Sequence, residues 1–110
     1  MNDSKAAGSP DQLIEAATEL AGLLRSFGED VWAQWVERDV ERIRAGDQYG
    51  VDHLLTAFGG MGSLSDLLIH PANGHDVEAA DVLSANNQLT DLRARTAETA
   101  RAIQRKSDRS

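Results

Sequence analysis

Apolar residues recur along this chain three and four positions apart, in runs separated by glycine. Leu13, Ile14, Ala17, Leu20, Ala21 and Leu24 form one stripe at helical period. Ser9-Pro10-Asp11-Gln12 precedes it: Ser9 can cap, Pro10 suits the first helical position, and Gln12 completes a capping box. Gly28 supplies a stop after Phe27. The second run opens with Glu29 and Asp30, which favour the positive end of a helix dipole. Trp32, Trp35, Val36, Val40 and Ile43 make its apolar face, while Arg38, Arg42 and Arg44 alternate with Glu37, Asp39 and Glu41 on the rest. Gly46 can end this helix and Asp47 can cap the next, where Val51, Leu54, Leu55 and Phe58 follow i, i+3, i+4, i+7.

The pattern then breaks at Gly59-Gly60-Met61-Gly62-Ser63, three glycines within four residues. Such a stretch implies backbone angles that other residues resist. Ser63-Leu64-Ser65-Asp66 is another possible cap, and Leu67, Leu68 and Ile69 fit either a short helix or an extended piece. His70 to His75 reads as a loop, punctuated by Pro71 and Asn73-Gly74. From about Asp76 to about Lys106 a long helix is predicted, with Val82, Ala85, Leu89, Leu92, Thr96, Thr99 and Ile103 as a near-heptad seam. Asn86 and Asn87 interrupt it, and one of them could sit in the seam and set its register; the alternative is a solvent-facing amide. The expected fold is all-α, with about four helices near 10–27, 29–45, 47–58 and 76–105 and a Gly-rich elbow between the third and the last. One domain spans 9–106, between disordered tails at 1–8 and 107–110.

Composition narrows the function classes. The chain has no cysteine, which excludes disulfides, thiolate catalysis and Cys-ligated metal sites. Met1 to Pro10 has no apolar core of a signal peptide and no run is long enough to span a bilayer, so a cytoplasmic protein without membrane contact is expected. The net charge is −7 and unevenly placed: residues 1–92 carry 5 Lys/Arg against 16 Asp/Glu, residues 93–110 carry 6 against 2. An acidic body repels phosphate backbones, so no nucleic-acid partner is expected, and a basic protein partner is easier to accommodate.

Candidate chemistry is sparse. The Gly-rich segment could expose N–H groups to an anion or small ligand, with Gly59, Gly60, Met61, Gly62, Ser63 and Asp66 as the candidate residues. It lacks the Walker lysine and the dinucleotide glycine spacing, and a tight packed connection is the plainer reading. On that reading Gly59, Gly60 or Gly62 has positive φ or touches a neighbouring backbone, whereas Gly8 tolerates alanine freely. His70, His75 and Asp76 match no common metal-ligand spacing and read as solvated loop residues, so no metal or cofactor is expected. His53 reads as a boundary residue. Ser63 and Ser65 have no positioned base, so no catalytic residue is assigned and an enzyme is not the leading reading. Trp32 and Trp35, three apart, are expected to anchor the core; the alternative is an exposed interaction hot spot.

Gly28-Glu29, Trp32, Trp35, Gly46-Asp47 and FGGMGSLSD at 58–66 resemble a family of small uncharacterised bacterial domains. That family carries a GGMGS segment before a short apolar stretch, often with Asn where this chain has Ser65. The resemblance covers about residues 12–70 and implies no known activity. The expectation is therefore a protein-interaction module acting through its acidic surface or its last helix, with a small-ligand site at 59–66 as the alternative. A helix of about thirty residues is about 45 Å long, which a small domain should not cover fully. A homodimer or partner over Leu89, Leu92 and Ile103 is expected for that reason.

Overall fold

A computed structural model describes residues 8–59 and 63–109 of the chain. Four α-helices carry it: α1 at Pro10–Ser26, α2 at Asp30–Arg44, α3 at Gln48–Thr56 and α4 at Val82–Arg109. No strand occurs among the described residues. Each helix packs on the next and α4 closes back on α1, so the four make a ring around one core.

The helix ends follow local chemistry. The Ser9 hydroxyl accepts from the Gln12 N–H, and the Gln12 side chain reaches back to the Gly8 N–H. The first two helices end the same way. Gly28 and Gly46 take φ of +82° and +81°. The following N–H then returns to the third-last helical carbonyl, Glu29 to Leu24 O and Asp47 to Arg42 O, both at 2.9 Å. Asp47 caps α3 by accepting from the Tyr49 N–H. These two tight reversals make α1, α2 and α3 successive antiparallel hairpins.

The core is aliphatic: Leu13, Leu20, Leu24, Val36, Leu54 and Leu89 are fully buried. The seam expected on α4 faces it, and this corrects the case for a partner there. Leu89, Leu92 and Ile103 are buried within their own chain. The long helix is covered because α1 and α3 share its length, and because Leu64 and Ile69 from the connection also enter the core. Trp32 and Trp35 pack on the core edge rather than inside it.

The connection 63–81 is held by side chains rather than by regular structure. Single 3-10 turns form at Leu64–Asp66, Pro71–Asn73 and Ala79–Asp81, and the backbone turns extended at Leu67. The apolar segment 64–69 is thus a short turn followed by an extended piece. Helix α4 begins at Val82, six residues later than the pattern suggested. Asp76 donates its N–H to Phe27 O, which pins that stretch to the α1–α2 corner and keeps it out of the helix. At the other end α4 continues to Arg109.

Asn86 holds the extended piece against α4. Its Oδ1 accepts from the Ile69 N–H and its Nδ2 donates to the Ile69 and Val82 carbonyls. It therefore pairs a main chain inside the fold, a use outside both sequence alternatives. Two helical turns on, Arg93 places Nη1 within 3.0–3.1 Å of the Leu64, Ser65 and Leu67 carbonyls. Burial there pushes its guanidinium below the usual value, opposed by the Asp66 carboxylate.

Two glycines inside helices predict opposite outcomes for one substitution. A Cβ on Gly50 would lie 2.8 Å from Arg42 Cβ and 3.0 Å from the Asp39 carbonyl oxygen. Gly22, in the second half of α1, has no atom of the described residues within 4 Å of that position. Helix propensity favours alanine by about 1 kcal/mol at both. Gly22→Ala should therefore stabilise by up to about 1 kcal/mol. Overpacking costs about 1–3 kcal/mol, so Gly50→Ala should destabilise by about 1 kcal/mol net. Urea titration of the two single variants reads both signs.

Gly8 corrects an expectation. It is buried, has φ of +86°, and a Cβ there would meet Ala102 Cβ at 2.8 Å. Alanine is not free at this position, because the Gln12 bond holds the chain against α4.

Candidate functional site

The hairpin of α2 and α3 turns at Gly46, and residues equally far from that turn stand level across it. Asp39 and His53 are each seven residues away. Asp39 lies on the apolar stripe with Val36 and Ile43, not on the polar face, and is fully buried. A buried carboxylate needs partners. His53 Nδ1 lies 2.8 and 3.0 Å from its two oxygens, and Arg42 Nη1 donates to it at 2.6 Å.

The aromatic residues close around this pair. The His53 imidazole stacks on Trp35 at 4.6 Å and 10°, and on Tyr49 at 5.3 Å and 27°. Trp32 leans on Trp35 at 5.3 Å, and the Arg42 guanidinium lies 5.3 Å from the Tyr49 ring centre. The result is one continuous column: Trp32, Trp35, His53, Tyr49, Arg42. It is half-open to solvent, with Tyr49 55% exposed and the His53 side chain 28%. Gly50 makes the close approach possible, since any side chain there would push α3 off Asp39 and Arg42.

Chemically, Asp39 orients the ring. A carboxylate against Nδ1 makes that nitrogen the donor, and Nε2 is directed away from Asp39. Among the described residues no group of three metal-binding side chains converges, and no serine hydroxyl is hydrogen-bonded to His53. The arrangement offers a rigid aromatic surface carrying a guanidinium and an imidazole. His53 does sit at a boundary, as its helical position suggested. Asp39 was missed. Its signal was a charged residue three after Val36 and four before Ile43, within the stripe.

The residues expected to form a ligand site are dispersed or outside the described part. Gly60, Met61 and Gly62 lie outside the described residues. Gly59 is exposed, has no positive φ, and a Cβ on it would be 4.0 Å from the Thr56 carbonyl oxygen. The packing constraint expected of the elbow is therefore absent at Gly59. Ser63 is buried and uses its hydroxyl to accept from the Ser65 N–H. The Ser65 hydroxyl donates to Phe58 O, and the Leu64 N–H to Ala57 O at 2.8 Å. Those two bonds pinch the ends of the loop together. Asp66 is exposed.

The two loop histidines separate. His70 is exposed and its Nδ1 accepts from the Ala72 N–H. His75 is buried, against expectation. Its Nδ1 accepts from the His70 N–H, so Nε2 carries the hydrogen and donates to Glu29 at 2.8 Å. With the Asp76–Phe27 bond this fastens the connection to the start of α2. Nearby, Arg25 pairs with Glu37 through two bonds of 2.7 and 2.8 Å. That hydrogen bond holds the Glu37 carboxyl below the usual carboxylate range.

Among the described residues no helix is long and apolar enough to cross a membrane. No curated protein and no solved structure matches the chain. Residues 25–78, which include α2, the hairpin to α3 and the Asn86-clamped segment, match the family described as a domain of unknown function, DUF6966.

Proposed function

We propose that the chain is a small protein-interaction module that presents the α2–α3 face to a partner protein. The observation that carries this reading is the half-open column of Trp32, Trp35, His53, Tyr49 and Arg42. Trp, Tyr and Arg are the residues that dominate binding energy at protein interfaces. Their rings are already immobilised by stacking and by the buried Asp39, so little side-chain entropy is lost on binding. The net charge of −7 favours a basic partner and a salt-sensitive association rate. A chain without cysteine fits a reducing compartment such as the cytoplasm.

A small-ligand site at 59–66 draws less support. The helical turn after the glycines is three residues long and is capped by its own Ser63, so few N–H groups are left to hold an anion.

A photo-crosslinking residue in place of Tyr49, expressed in the native host, tests the proposal. A discrete protein adduct is expected from position 49 and not from Ser84, an exposed position on α4. With the captured protein purified, Tyr49→Ala should weaken binding by about tenfold or more while leaving the melting temperature unchanged. Equal adducts from both positions, or full affinity in Tyr49→Ala, would overturn it.

A further inference from the structure

A second surface lies across the ring from the aromatic column, in the outer groove between α1 and α4. The groove is about 450 Å³ and is lined by Glu19, Gly22, Leu23, Asp91, Leu92 and Arg95. It continues toward the start of α1 as a further 240 Å³ beside Glu15 and Glu98. Arg95 is already engaged by both Glu19 and Asp91, so the walls keep an acidic excess. The open space comes from Gly22. Among the described residues no atom comes within 4 Å of the missing Cβ, and φ there is ordinary. A glycine inside a helix costs stability, and nothing among the described residues accounts for it.

The complementary surface is on the same chain. Arg101 and Arg105 are exposed in the last turns of α4, within a segment whose charge is opposite to that of the body. Neither appears in an ion pair among the described residues. Arg105 is ten residues beyond Arg95 on one continuous helix, about 15 Å along its axis. The basic end of α4 cannot fold back onto its own groove without breaking the helix.

From this we infer that the groove receives the basic end of α4 from a second copy of the chain. Two copies related by a two-fold axis place their α4 helices antiparallel, each basic end against the other's acidic wall. Such an exchange closes the assembly at two copies. It uses the outer groove rather than Leu89 and Ile103, which the fold already buries. It also leaves the α2–α3 face free, so it stands independently of the function proposed above.

Sedimentation equilibrium of the full chain, at low and high salt, tests it. The expected result is a dimer at low salt that dissociates as salt rises, because the pairs at the rim are screened. Arg101→Glu with Arg105→Glu should raise the dimer dissociation constant about tenfold or more, the scale of two lost and reversed rim pairs. Adding Glu19→Lys and Asp91→Lys to that chain should restore the dimer. Gly22→Leu should abolish it at an unchanged or higher melting temperature, since leucine is a better helix former than glycine. The absence of native cysteine also permits disulfide trapping. A mixture of Gly22→Cys and Arg105→Cys chains should cross-link to each other in preference to themselves. A monomer at millimolar concentration in low salt would overturn the inference, as would a dimer indifferent to Gly22→Leu or to the charge reversal.

Discussion

Asp39→Ala should lower the stability of the chain by about 3 kcal/mol, near the lower end for breaking a buried ion pair. Two features place it there. His53 and Arg42 both lose their acceptor, and the space left between α2 and α3 is sealed by the Trp35 stack. Yet both partners are partly exposed, so water can take up some of what the carboxylate held. In thermal melts this corresponds to a fall of roughly 10 °C for a domain of this size. Asp39→Asn separates charge from shape. It keeps an oxygen that can accept one bond, so it should lose less than alanine does. The stacked column reports independently of stability. With Asp39 gone, nothing fixes the His53 ring between Trp35 and Tyr49, and near-ultraviolet circular dichroism from the tryptophans should change at temperatures where the chain is still helical. An alanine variant that melts with the parent would show that the His53–Arg42–Asp39 bonds contribute little net stability. The aromatic face would then lose its claim to be preorganised.

Asn86→Leu should cost about 2–3 kcal/mol. The branched heavy-atom shape is kept, so the main loss comes from polar groups left without partners. The Ile69 N–H and C=O, in a residue with no solvent exposure, would both go unpaired, and each such group costs about 1–3 kcal/mol. Asn86→Asp is a sharper variant. It retains the acceptor for the Ile69 N–H but sets a carboxylate oxygen against the Ile69 and Val82 carbonyls, so it should do no better than leucine. Hydrogen exchange distinguishes local from global loss. The Ile69 amide should exchange much faster in either variant, while amides in α1 follow the overall stability. Unchanged protection at Ile69 would contradict the clamp.

Gly59, the glycine of the elbow within the described residues, is neither strained nor crowded. Glycines elsewhere in the chain carry the constraints instead. Gly50 is pressed against α2, Gly8 against α4, and Gly28 and Gly46 supply the left-handed turns at two helix ends. A cluster of glycines in sequence draws the eye, but packing is decided by what lies opposite a residue in space.

The sequence alone determined the four helices and their order. Period, caps and stops are local: Ser9 and Asp47 bond N–H groups two or three residues ahead, and Gly28 and Gly46 let the following N–H reach a carbonyl five residues behind it. It also determined the core stripes of α1 and α4, since a residue at helical period faces the same way whatever it meets. Tertiary structure decided the rest, for one physical reason: the partners are distant along the chain. Asp39 reads as part of an alternating charged face until the hairpin sets His53 opposite it, 14 residues on. His75 reads as a solvated loop residue until the connection folds 46 residues back onto Glu29. Asn86 finds a backbone 17 residues away, and Leu89 and Ile103 find cover from α1, α3 and the 64–69 segment. Burial of a polar group is favourable where such a partner arrives, and the arrival depends on how the helices pack.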